Sequence, residues 1–246
     1  TQVDTFRAVR WDSAGNATAL DPISIKADGS SASQASRVNN AGVAIGASKL
    51  YTAQSPDGDF VPVRWDAGGT AVTPLGQLPG AHDTAPIGIN DSGIIVGRGY
   101  FDTQDTYSHS GRWSAGSTVP VELGHFTPDP QDNYFTFAEA INNDGLIVGS
   151  SSTYVGGFNR SVATLWLPDG TAIDLNTLAT NLTGWTLTHA YTITDSGWIS
   201  GTGEFDPDGP GGSLAYRRSW LMQVPEPALS ALLFGMIFFA RRRRMA

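Results

Sequence analysis

The sequence predicts an all-β, repeat-built domain followed by a short C-terminal apolar helix. Three observations support this. A nine-residue motif occurs four times, and its glycines Gly42, Gly93, Gly145 and Gly197 are spaced by 51, 52 and 52 residues. A tryptophan motif interleaves with it at Trp11, Trp65, Trp113, Trp166 and Trp220. Near the end, Ala228 to Ala240 runs thirteen residues without a charge and is followed by Arg241, Arg242, Arg243 and Arg244.

The four copies are Val38 to Gly46, Ile89 to Gly97, Ile141 to Gly149 and Ile193 to Gly201. Each reads as strand, tight turn, strand: Asn or Asp with Gly supplies the turn, and apolar flanks pair across it. Asn39, Asn90 and Asn142 are therefore turn residues first. After the first four tryptophans come Gly15, Gly69, Gly116 and Gly170, then an apolar strand ending near Leu20, Leu75, Leu123 or Leu175, which makes a second hairpin. Two hairpins give about four short strands in ~52 residues, the content of a β-propeller blade; a β-solenoid with two coils per repeat meets the same period. The five motif tryptophans are expected between neighbouring sheets, where large aromatics fill the gap. After Trp220 no turn returns the chain before Val224, so its strand is expected to be a lone last strand. That arrangement suits ring closure with an upstream hairpin.

Composition agrees with strands and turns: 29 Gly, 14 Pro and two lysines leave little helix-forming surface. The formal charge is −8, of which the terminal arginines contribute +4, leaving −12 on the rest. So acidic a body repels nucleic-acid phosphates, while neutral glycans and divalent cations remain compatible. The absence of cysteine excludes disulfides, thiol catalysis and Cys-ligated zinc but leaves the compartment open.

No catalytic motif is present. His82, His109, His125 and His189 show no metal-ligand spacing, and no Gly-x-Ser-x-Gly elbow occurs. The carboxylate pairs Asp57/Asp59, Asp102/Asp105, Asp129/Asp132 and Asp206/Asp208 sit in Gly- or Pro-containing connections and read as solvated turns. Asp206 to Gly212 is the best Ca²⁺ candidate, but it lacks the acidic positions of an EF-hand. No catalytic residue, metal ligand or cofactor is therefore assigned.

The tail carries the strongest functional signal. Thirteen helical residues rise about 20 Å, short of the ~30 Å hydrocarbon core, so residues 228–240 form a marginal transmembrane helix. A cytoplasmic Arg241–Arg244 cluster places residues 1–227 outside the inner membrane. Val224, Pro225, Glu226 and Pro227 form an extended joint that prevents a continuous helix. This order, Val-Pro-Glu-Pro then a short apolar helix then arginines, resembles the PEP-CTERM sorting domain. The resemblance covers residues 224–246. It implies recognition by an exosortase-type membrane protein at Pro225, Glu226 and Pro227, removal of the tail, and release or transfer to the envelope of a Gram-negative bacterium making exopolysaccharide. Export also requires an N-terminal signal. None is seen at Thr1-Gln2-Val3-Asp4, so an upstream segment is expected.

The paired motifs of residues 1–223 resemble the HAF repeat of extracellular bacterial proteins. Ala138 to Gly149 fits its Ala-x-x-Ile-Asn-x-x-Gly-x-Ile-Val-Gly half. The His-Ala-Phe-x-Trp half departs, and only His109 occupies the His place. The family has no defined biochemical role, so the resemblance implies architecture and location only. The expected function is an exported structural or binding protein of the cell surface or matrix, exopolysaccharide-associated and not an enzyme. Aromatics of the loops Tyr100–Ser110 and His125–Phe137 are candidates for stacking on sugars. The alternative is an extracellular polysaccharide hydrolase or lyase, which would show carboxylates and histidine converging in one central pocket.

Overall fold

The computed structural model describes residues 6–101, 107–209, 212 and 214–224. Its regular structure is antiparallel β, arranged as five small meander sheets in chain order. The first is a hairpin of β1 (Val9–Trp11) and β2 (Ala17–Ala19). The second holds β3 (Ser33–Val38), β4 (Ala44–Leu50), β5 (Asp59–Trp65) and β6 (Val72–Pro74). The third holds β7 (Asp83–Ile89), β8 (Ile95–Tyr100), β9 (Ser108–Trp113) and β10 (Pro120–Glu122). The fourth holds β11 (Thr136–Ile141), β12 (Ile147–Val155), β13 (Phe158–Trp166) and β14 (Ala172–Asp174). The fifth holds three strands, β15 (Trp185–Ile193), β16 (Trp198–Phe205) and β17 (Tyr216–Gln223).

Successive sheets stack face to face: β7 packs across β3, β4 and β5, and β11 and β15 repeat this one unit later. Side-chain alternation along the second strand of each sheet explains the stack. Ala44 and Trp65 join Ala8 and Leu20 of the first sheet, whereas Ile45, the next residue, joins Leu75, Ile95 and Trp113 between the second and third sheets. Val96, Leu123, Ile147 and Trp166 repeat this between the third and fourth. The second, third and fourth sheets therefore each contribute to two cores. No closed ring is formed among the described residues.

The last glycine of each motif has a steric reason. The first strand of each of the four repeat units is bulged, with register shifts at Ala35/Arg37, Pro86/Gly88, Ala138/Ala140 and Ala190/Thr192. Beside each bulge a carbonyl, of Gln34, Ala85, Phe137 or His189, occupies the place a Cβ would take at Gly46, Gly97, Gly149 or Gly201.

Trp65, Trp113 and Trp166 are fully buried between sheets as expected. Their indole N–H groups donate to Asp21 O (2.9 Å), Gly76 O (3.1 Å) and Gly124 O (2.7 Å), each carbonyl lying just after a buried leucine of the preceding sheet. Two tryptophans depart from the expectation. Trp11 is 66% exposed, because no strand pairs with β1 on the side away from β2 among the described residues. Trp220 sits two residues out of register. Ala44, Ile95 and Ile147 pair with Trp65, Trp113 and Trp166, but the equivalent Ile199 pairs with Met222, and Trp220 lies opposite Gly201. Nor is β17 a lone strand, since it pairs with β16 along its whole length.

Among the described residues no helix is long and apolar enough to cross a membrane. The expected helix at 228–240 lies outside the described residues.

Candidate functional site

The four Asn/Asp-Gly turns converge at one end of the stack and line a concave polar surface of about 420 Å³. Each turn closes alike: Gly42, Gly93, Gly145 and Gly197 take positive φ of 84°, 81°, 78° and 77°. Their N–H groups donate to the carbonyls of Asn39, Asn90, Asn142 and Thr194.

Within that frame the asparagines work in two directions. Asn39 Oδ1 accepts Val43 N–H at 2.9 Å within its own turn, and Asn39 Nδ2 donates to Asn90 O of the next turn, also at 2.9 Å. Asn90 likewise accepts from Ile94 N–H at 2.9 Å and donates to Asn142 O at 3.0 Å. Asn142 accepts from Leu146 N–H at 2.9 Å and donates to Thr194 O at 3.2 Å. Because each partner is a backbone group with one fixed role, the amide orientations are determined. Thr194 ends the chain of bonds: its Oγ1 still accepts Trp198 N–H at 3.0 Å, but it has no amide to pass onward.

A second, exposed rung runs beside the first. Asn40, Asp91 and Asn143 N–H groups donate to Asp91 Oδ1 (2.9 Å), Asn143 Oδ1 (2.9 Å) and Asp195 Oδ1 (2.8 Å). Asn143 Nδ2 bridges Asp91 Oδ2 and Asp195 Oδ2, both at 2.9 Å. The donors from Asn40, first its side chain and then its N–H, together with Asn143, hold the Asp91 carboxyl below its ordinary range. This surface gathers polar groups from every repeat, yet most are already bonded to one another. It contains no histidine.

A separate cluster lies on the third sheet and the connection to the fourth. Rings stack in the order Phe101, His109, Tyr134, His125, with centroids 4.2, 4.0 and 3.7 Å apart. Glu122 Oε1 accepts Tyr134 O–H at 2.6 Å and contacts His109 Nδ1 at 2.7 Å. The His109 bond, with help from Tyr134, lowers the Glu122 carboxyl below its usual range. Burial, reinforced by Glu122, pushes the Tyr134 phenol up, so it remains a donor. One carboxylate oxygen is thus shared by two donors in a clamp.

No family model and no curated protein matches the chain.

Of the residues named from sequence, Val224 is described: it is buried, and its N–H donates to Gly197 O at 3.0 Å. Pro225, Glu226, Pro227 and Arg241 to Arg244 lie outside the described residues. Among the described residues the carboxylate pairs do not gather into one cluster. Asp129 caps its own turn through Gln131 and Asn133 N–H, and Asp206 accepts Gly209 N–H at 2.9 Å, while Asp102 and Asp105 lie outside the description. Among the described residues no three carboxylate or histidine side chains gather as a metal site.

Sequence reasoning found the turn asparagines but missed their donation to the next repeat. Constant spacing with Thr at the fourth place was the available signal. It also missed the convergence of His109, Glu122, His125 and Tyr134, which no local pattern marks. The loop aromatics proposed for sugars are partly engaged already: Phe135 packs with Phe137, and Arg98 lies over Phe137.

Proposed function

We propose that this chain is an exported structural or binding protein presented at the cell surface or in the extracellular matrix of a Gram-negative bacterium. In this reading the stacked sheets are blades of a propeller-like array. The four turns at one end are a structural latch, and the opposite end faces the ligand. Residues 224–246 act as the sorting and anchoring segment, read by an exosortase-type protein through Pro225, Glu226 and Pro227, with Arg241 to Arg244 on the cytoplasmic side.

The observation that carries the binding reading is the polarity of the stack. The strand 2–3 hairpin ends, opposite the Asn/Asp turns, carry Tyr51 and Phe60, Phe101 and Tyr107, Tyr154 and Phe158, and Phe205 and Tyr216. Among them Phe158 is 70% and Tyr216 40% exposed. Exposed aromatic rings on an acidic body suit apolar sugar faces of a neutral polysaccharide better than an anionic chain. The hydrolase or lyase alternative asked for carboxylates and histidine in one central pocket. Instead, the four-turn surface has carboxylates without histidine, and Glu122 is shared between His109 and Tyr134.

Affinity electrophoresis in gels containing neutral exopolysaccharide tests this. Retardation that weakens in Phe158→Ala and Tyr216→Ala, without release of reducing ends or unsaturated sugars, is expected. Polysaccharide cleavage would overturn the reading in favour of the enzyme, and unretarded migration in every neutral polymer would remove the ligand class.

A further inference from the structure

The ring stack of Phe101, His109, Tyr134 and His125 is built from residues the repeat does not require. His109 stands four places before Trp113, where the second and fourth sheets have Val61 and Val162 before Trp65 and Trp166. Glu122 stands just before Leu123, where those sheets have Pro74 and Asp174. Asp174 serves its own turn instead, accepting Asn176 N–H at 2.8 Å. Among the three four-stranded sheets, the third is thus the one whose two places hold a titratable pair in contact.

What the cluster holds is the entry to the fourth sheet. Tyr134 lies two residues before β11, and the adjoining Phe135 N–H donates to Ser152 Oγ of β12 at 2.9 Å. The Tyr134 ring lies between the two imidazoles, 4.0 Å from His109 and 3.7 Å from His125, and its hydroxyl reaches back to Glu122 on β10 at 2.6 Å. One side chain therefore fastens the connection to the outer half of the third sheet.

The hydrogen bonds fix where a proton enters. Ionised Glu122 only accepts, so His109 donates to it from Nδ1 at 2.7 Å even as a neutral ring. A carbonyl also only accepts, so His125 donates from Nδ1 to Phe126 O at 2.7 Å. In both rings a further proton enters on Nε2, adding a charge without breaking a bond of the cluster. Protonated His109 forms an ion pair with Glu122, and protonated His125 is a cation stacked on the Tyr134 face. His109 and His125 both act on Glu122, while Glu122 and Asp132 act on Tyr134, so two carboxylates offset the repulsion between the two imidazolium charges.

We propose that His109, Glu122, Tyr134 and His125 form a proton-operated clamp, which tightens the connection between the third and fourth sheets as pH falls through the imidazole range. The clamp lets go again only in stronger acid, where Glu122 itself takes a proton. The inference rests on the geometry of the cluster and stands apart from the binding reading.

Hydrogen exchange of the Asn133 and Phe135 amides in the full chain, divided by the intrinsic rate at each pH, reads the clamp. The pair is partly exposed, with side-chain exposures of 16% and 37%, so a modest gain is expected. Protection should be about two- to fivefold higher at about pH 5.5 than at about pH 8. Glu122→Gln and His109→Gln should each abolish that gain. Tyr134→Phe removes the hydroxyl donor and should lower protection at both pH values while leaving the gain in place. The amides of β13 should show no such gain in any form. Equal native protection at the two pH values, a gain unchanged in Glu122→Gln, or the same gain in β13 would overturn the proposal. None of these outcomes bears on polysaccharide retention, which is read separately.

Discussion

Replacing Asn90 removes the middle link of the turn ladder and allows the energetics of its two roles to be separated. Asn90 is 4% exposed, and its side chain satisfies Ile94 N–H and donates to Asn142 O. In Asn90→Ala the Ile94 N–H loses its partner, while Asn142 O keeps the Gly145 N–H and loses only its second donor, so a loss of roughly 2–3 kcal/mol is expected. Asn90→Thr copies Thr194, whose Oγ1 serves the N–H of Trp198, and should forfeit only the donation to Asn142, about 1–2 kcal/mol. Urea unfolding of the full chain, followed by tryptophan fluorescence, measures both. Threonine should recover about half of the alanine deficit, at an unchanged denaturant slope. Equal losses for Ala and Thr, or losses below about 0.5 kcal/mol for both, would refute the ladder as a source of stability.

Trp113→Ala should cost about 3–5 kcal/mol in the same unfolding assay, because the ring is fully buried and bonded to Gly76 O, whereas exposed Trp11→Ala should stay within about 0.5 kcal/mol. Gly149→Ala forces a Cβ against the Phe137 carbonyl and should destabilise by roughly 1–3 kcal/mol, visible as a lowered urea midpoint. His189 has its pKa lowered by burial and then by Arg217, so the folded chain holds it neutral. Its contribution is full above the ordinary value of 6.5 and declines as pH falls below it, and His189→Gln should flatten the stability slope between pH 7 and 5. The Glu122 carboxyl, lowered by His109, adds stability that is present above the ordinary value of 4.5 and lost as pH falls through its lower folded value. Glu122→Gln should therefore lessen the acid sensitivity below pH 4.5.

Much of this architecture was legible because the repeat imposes it. Glycines at constant spacing mark turns, and alternation around Ile45, Val96 and Val148 marks strands buried on both faces. Trp220 was misleading because a tryptophan in sequence says nothing of register. Only its pairing with Gly201 shows that Met222 has taken the motif place. The exposure of Trp11 was equally hidden, since it depends on which strands flank β1. The inter-turn donation of Asn39, Asn90 and Asn142 spans 51 or 52 residues and leaves no local trace. The same holds for the His109–Glu122–Tyr134 clamp, whose members come from β9, β10 and a connecting loop.

Presentation outside the inner membrane through the C-terminal segment is most directly tested by intact-mass measurement. Surface and medium fractions of a host carrying the sorting enzyme are compared for the native chain and for Glu226→Ala. The account predicts that the native chain alone loses the mass beyond the Pro225-Glu226-Pro227 joint. Membrane-bound protein retaining Arg241 to Arg244 in both forms would contradict it and leave a plain C-terminal anchor.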